Sequence, residues 1–89
     1  MAQLKFTQHI QRRLAAPPMD VPGSTVREAL DNAFREQPKL RTYVLDDQGR
    51  LRKHVVIFID GRMVADRGEL SDNVGENSEL LVMQALSGG

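Results

Sequence analysis

One amphipathic helix constrains this chain more than any other stretch. Val26, Ala29, Leu30, Ala33 and Phe34 recur at helical spacing and form one apolar stripe, while Arg27, Asp31, Arg35 and Glu36 fall on the other side. Thr25 with Glu28 three residues later reads as a capping box, with Ser24 as a second candidate cap. Pro38 ends the helix near Gln37, because the residue before a proline is pushed out of the helical region. The rest of the chain reads mainly as strands, and the helix is long enough to cross one face of a sheet. The expected architecture is a two-layer α+β domain, with this one main helix on one side of a mixed sheet of four to five strands.

Leu4 and Phe6 alternate with Lys5 and Thr7, the period of a strand with one buried face. The pattern blurs from His9 to Leu14, and Ala15-Ala16-Pro17-Pro18 is a break. Met19-Asp20-Val21 predicts a short returning strand, ended by Pro22-Gly23. Tyr43-Val44-Leu45 predicts another, followed by a turn at Asp46-Asp47-Gln48-Gly49. His54-Val55-Val56-Ile57-Phe58-Ile59 is the strongest strand signal, rich in β-branched residues, and Asp60-Gly61 reads as a tight turn. Residues 62–78 read as a polar loop anchored by Leu70 and Val74, and Leu80 to Leu86 predicts the last strand, running straight into Ser87-Gly88-Gly89.

Composition narrows the function. A chain of 89 residues makes one domain with little volume for a deep pocket. Zero net charge with interspersed acids and bases gives no electrostatic case for nucleic acid or an anionic membrane. The lack of cysteine excludes a disulfide framework, a thiol nucleophile and a thiolate metal site. No signal peptide or membrane-length apolar run appears, so the expected location is cytoplasmic. His9 and His54 are isolated from other ligand types and read as surface or satisfied side chains rather than metal ligands. Asp46-Asp47 reads as turn chemistry, and Arg12-Arg13 and Arg50-Leu51-Arg52-Lys53 as solvated faces. No nucleophile–base pair or cofactor motif argues for an enzyme.

The ending points to a different kind of chemistry. Glycine lacks a Cβ, so an extended Gly88-Gly89 passes where a side chain would block. Four extended residues reach about 13 Å. A carboxylate on such a stalk suits delivery into another protein's active site. A linker remnant is the rival reading, weakened because the last strand leads directly into the glycines.

Four features in this order carry a resemblance: Thr25-Val26-Arg27-Glu28-Ala29-Leu30, Val56-Ile57-Phe58-Ile59-Asp60-Gly61, Leu70-Ser71-Asp72-Asn73-Val74 with Ser78-Glu79-Leu80, and the final Gly88-Gly89. Over essentially its whole length the chain resembles the MoaD/ThiS/CysO-type sulfur carriers of the ubiquitin-like β-grasp fold. It differs from the family pattern at Asn77-Ser78-Glu79, at Ser87, and in the longer proline-containing stretch between the first two strands. The resemblance implies a β-grasp domain over residues 1–85 and a flexible tail over 86–89. It implies a carrier that is not itself an enzyme and binds no cofactor. An E1-like adenylating enzyme of the MoeB/ThiF type would use ATP and Mg²⁺ to activate the Gly89 carboxylate. A persulfide donor would convert it to a thiocarboxylate, and a sulfur-accepting synthase would take the sulfur into a cofactor, cysteine or a thio-metabolite. Gly88, Ser87 and Leu86 would form the neck. A ubiquitin-like modifier joined to lysines through Gly89 shares the activation step, and a non-covalent interaction module is a third reading.

Strand parity predicts the docking face. If Ile57 and Ile59 face the helix, Phe58 faces away; Leu80 and Val82 then share the core, and Leu81 and Met83 point outward. Phe58, Leu81 and Met83 would form an apolar partner-binding patch, on the face by which ubiquitin-like proteins usually dock.

Overall fold

The computed structural model describes residues 1–84. Its strands are β1 (Ala2–Phe6), β2 (Met19–Val21), β3 (Val55–Ile59), β4 (Arg62–Met63) and β5 (Glu79–Gln84); its helices are α1 (Gln8–Leu14), α2 (Val26–Glu36) and α3 (Lys39–Val44). The sheet order is β2-β1-β5-β3-β4. β1 and β5 run parallel in the centre, and the other neighbours are antiparallel. The strand that leads to the C-terminus is therefore the middle one, bonded on both edges. The sheet is mixed and α2 packs on one face, as the sequence predicts.

The stripe of α2 is the core. Val26, Ala29, Leu30, Ala33 and Phe34 are all buried, and they share one cluster with Leu4, Phe6, Val55, Ile57, Leu80 and Val82 of the sheet. Each fully buried Val, Leu or Phe contributes about 1.5–3 kcal/mol. Thr25 caps the helix, its hydroxyl accepting from Glu28 N–H at 3.2 Å. The reciprocal half of the box is displaced by one residue: Glu28 Oε1 accepts from Ser24 N–H at 2.8 Å and from the Ser24 hydroxyl at 3.0 Å. Further amides of this end donate to the loop before β5, from Val26 to Asp72 O and from Arg27 to Leu70 O. Leu70 is fully buried with φ 58°, so this loop is locked against α2 as well as filled by Leu70 and Val74.

Three predictions are corrected. Tyr43-Val44-Leu45 is not a strand: Tyr43 and Val44 end α3, and Leu45 makes only an isolated bridge to Leu51. Leu40 and Val44, four residues apart, both turn into the core, and that helical spacing outweighs the strand propensity of the tripeptide. The blurred stretch from His9 to Leu14 is α1, which buries Ile10. The start of the polar 62–78 loop is β4, paired to β3 as Phe58↔Met63 and Ile59↔Arg62. Asp60 (φ 51°) and Gly61 (φ 86°) form the two-residue turn between them, the positive φ at both positions matching strand twist.

Candidate functional site

The residues predicted for the site fall into two groups. Leu86, Ser87, Gly88 and Gly89 lie outside the described residues. Phe58, Leu81 and Met83 lie on the sheet face opposite α2. All three are half-buried, and none joins the core cluster, whereas their neighbours Ile57, Leu80 and Val82 are fully buried within it. Ile59 is half-buried and packs against that cluster.

The ladder brings these side chains together. Phe58 pairs with Leu81, and Val56 pairs with Met83. Phe58 also pairs with Met63, which is 59% exposed. Directly paired residues share a face, so Val56 and Met63 extend the apolar band to the sheet edge. Sequence reading missed both. The parity that selects Phe58 also selects Val56, and the Asp60-Gly61 turn signals a partner strand carrying Met63. On β1 and β2 the same face turns polar, with Gln3, Lys5 and Asp20.

Phe58, Leu81 and Met83 floor a surface concavity of about 600 Å³ whose rim is Asp60, Gly61 and Glu79. Asp60 and Glu79 hold each other: Asp60 N–H donates to Glu79 O, and Glu79 N–H donates to Asp60 Oδ1, both at 2.9 Å. The Glu79 amide, and after it the Ser78 hydroxyl, keep the Asp60 carboxyl below its ordinary value. Glu79 Oε1 also pairs with Lys5 Nζ at 3.2 Å in an exposed bridge.

The far end of β5 is tied differently. Tyr43 donates from its hydroxyl to Gln84 Oε1 at 3.0 Å, and its ring meets His54 edge-on at 5.7 Å. A second concavity, lined by Thr7, His9, Met83 and Gln84, lies at this end. His9 is exposed. Among the described residues no group of His, Asp and Glu is placed to hold a metal, and no helix is long and apolar enough to cross a membrane. A larger concavity, of about 670 Å³, surrounds Arg27 and the 46–49 turn. There the guanidinium donates to Gly49 O at 2.7 Å, Gly68 O at 3.1 Å and Glu69 O at 3.3 Å, so Arg27 serves to join two loops. Arg52, read from sequence as solvated, donates to Thr42 O at 2.8 Å, and Leu51 is buried.

A family model described as "ThiS family" matches residues 12–89. The chain belongs to the ThiS family. Solved structures place it among β-grasp proteins. SAMP1 from Haloferax volcanii, a small archaeal modifier protein, is 26% identical with a TM-score of 0.77, over 99% of this chain and 98% of that one. A chain of the Amycolatopsis orientalis BexX/CysO complex is 15% identical with a TM-score of 0.83 over the full length of both. Mycobacterium tuberculosis CysO, described as an antigen, is 12% identical with a TM-score of 0.82, over 97% of this chain and all of that one. The last two identities speak for the fold alone. No curated protein matches the sequence. This ThiS-family chain is thus a β-grasp domain with an outward apolar face on its sheet, and its middle strand precedes the two final glycines in sequence.

Proposed function

We propose that this protein is a sulfur carrier that is not itself an enzyme and binds no cofactor. The carrying observation is the ThiS-family match, which runs through Gly88 and Gly89. In this reading an adenylating enzyme of the MoeB/ThiF type, using ATP and Mg²⁺, joins the Gly89 carboxylate to AMP and releases pyrophosphate. The acyl-adenylate is needed because a carboxylate's charge repels nucleophiles. A persulfide sulfur then displaces AMP, and a thiol cleaves the remaining S–S bond and becomes oxidised, leaving a thiocarboxylate. A synthase accepts that sulfur in making a cofactor, cysteine or a thio-metabolite. ATP and reduced thiols place these steps in the cytoplasm. Leu86, Ser87 and Gly88 supply reach and slenderness. The band around Phe58, Leu81 and Met83 meets the partners, and the crystallised BexX/CysO complex supports partnering by a protein of this shape.

Intact-mass spectrometry of protein recovered from cells containing the partners tests this. One oxygen replaced by sulfur at Gly89 is expected. A chain left unmodified by every adenylating enzyme offered to it refutes the reading.

The 26% identity to SAMP1 favours a second reading, a modifier joined to lysines. Higher-mass conjugates that vanish when Gly89 is deleted would support it.

A further inference from the structure

The concavity beneath the β3–β4 turn has a composition that selects its occupant. Its floor is apolar, made by Phe58, Leu81 and Met83, and Asp60 and Glu79 stand together at one end of its rim. An all-apolar side chain would cover the floor but strip water from two carboxylates without replacing it, which is costly. A small cation would meet the carboxylates and leave the floor wet. A long side chain with an apolar stem and a cationic head satisfies both parts.

We infer that this concavity receives one arginine side chain of the adenylating enzyme, its stem on Phe58 and Leu81 and its guanidinium at Asp60 and Glu79. The inference rests on the sulfur-carrier reading and specifies the chemistry of its docking partner. Arginine fits better than lysine, because its planar head binds carboxylates through two parallel hydrogen bonds and stacks on an aromatic ring such as Phe58.

The rim is prepared for this. The Asp60 carboxylate is held by the amide of Glu79 and stays ionised, so no rearrangement precedes binding. Glu79 already takes one cation, Lys5, through Oε1 in an exposed bridge, which leaves its second oxygen for another donor. An exposed bridge of that kind contributes little by itself and is readily shared. The acidic end of the face lies at the start of β5, the opposite end of the strand from Gln84, after which the neck follows in sequence. An arginine seated there fixes which way the carrier lies, so that the tail end points toward the nucleotide.

The test is steady-state adenylation of the full chain, read as pyrophosphate release, with Asp60→Asn and Glu79→Gln combined. Asparagine keeps an acceptor for the Glu79 amide and tolerates positive φ, so the turn survives. KM for the carrier should rise about tenfold with kcat unchanged, the scale of a lost charged hydrogen bond. The salt dependence of KM should flatten. Glu76→Gln, an exposed acid away from this rim, should change neither. Unchanged KM and salt dependence in the double variant overturns the inference while leaving the carrier reading intact. A rise in KM with undiminished salt dependence and a lowered melting temperature overturns it as well, since that is damage to the fold. A wild-type dimer abolished by the same substitutions assigns the concavity to a second copy and also overturns it. If the wild-type chain is never adenylated, the carrier reading fails first.

Discussion

Tyr43 and Gln84 join α3 to the end of β5: the Tyr43 phenol donates to the Gln84 side-chain amide oxygen at 3.0 Å. Gln84 is also the ladder partner of Val55, so the end of the middle strand is fastened from its side chain and its backbone. Tyr43→Phe keeps the ring and its contact with His54 but removes the donor. A net loss of about 0.5–1 kcal/mol is expected from a partly solvated hydrogen bond. Hydrogen exchange should localise it, with amides at the end of β5 exchanging faster than those at its start.

Acid should destabilise the protein at its loops and at the start of α2. Glu28, Asp46, Asp60 and Asp66 all have carboxyls held below their ordinary values of 4.5 for Glu and 3.8 for Asp. The largest cause differs: the Ser24 amide for Glu28, the Arg50 amide for Asp46, the Glu79 amide for Asp60 and the Ser71 hydroxyl for Asp66. A folded pKa below the unfolded one stabilises the fold above the unfolded value and loses that contribution as pH falls through the folded one. The melting temperature should hold steady from neutral pH to about 5 and fall below about 4. Asp66→Asn should be less stable at neutral pH and lose less on acidification, in thermal melts across the pH series.

Arg27 is expected to resist conservative replacement. Its guanidinium reaches three carbonyls on two loops, Gly49 O, Gly68 O and Glu69 O. Lysine keeps the charge but not the planar array of donors. Arg27→Lys should cost roughly 1 kcal/mol in urea unfolding, as partly buried carbonyls lose their partners. Arg12→Lys, on the exposed side of α1, should be close to neutral.

The order of difficulty in reading this sequence follows how each element is held. The stripe of α2, the parity of β3 and β5 and the Asp60-Gly61 turn are stated by local chemistry, and all are found where predicted. α1 is not: its Thr7 makes no side-chain cap, and Ala15, with φ 51°, stands where glycine usually signals a helix end. α3 hides because Tyr43-Val44-Leu45 favours a strand locally while Leu40 and Val44 pack as a helix. β4 has two exposed residues and no period to detect. The acid rim of the outward apolar face escaped because Asp60 and Glu79 are nineteen positions apart and meet only through the pairing of β3 with β5.

Gly88→Val should separate reaction from fold. The substitution lies in the tail, outside the described residues. A β-branched side chain restricts the backbone and widens a stalk that has to thread a narrow passage. Adenylation, followed as pyrophosphate release, is expected to stop, with the melting temperature unchanged. A normal rate would count against threading as the reason for the glycines.

Ile57 and Phe58 give the sharpest contrast, because they are adjacent and face opposite ways. Ile57 is fully buried against the stripe of α2, and Phe58 is half-buried on the opposite face of the sheet. Ile57→Ala leaves a cavity in the core and should cost about 2–4 kcal/mol in urea unfolding. Because the docking proposed above uses the other face, its kcat/KM for adenylation should stay within about twofold of wild type at temperatures where it is folded. Phe58→Ala should do the reverse. It empties no core space and should cost less than the Ile57 variant, yet it removes the aromatic floor of the proposed docking face, where truncating a central aromatic often costs about 2 kcal/mol or more of binding. Equal losses of stability in the two variants would place Phe58 in the core and remove the apolar band from the docking account. Equal losses of activity at matched stability would instead put the partner's contact elsewhere on the sheet.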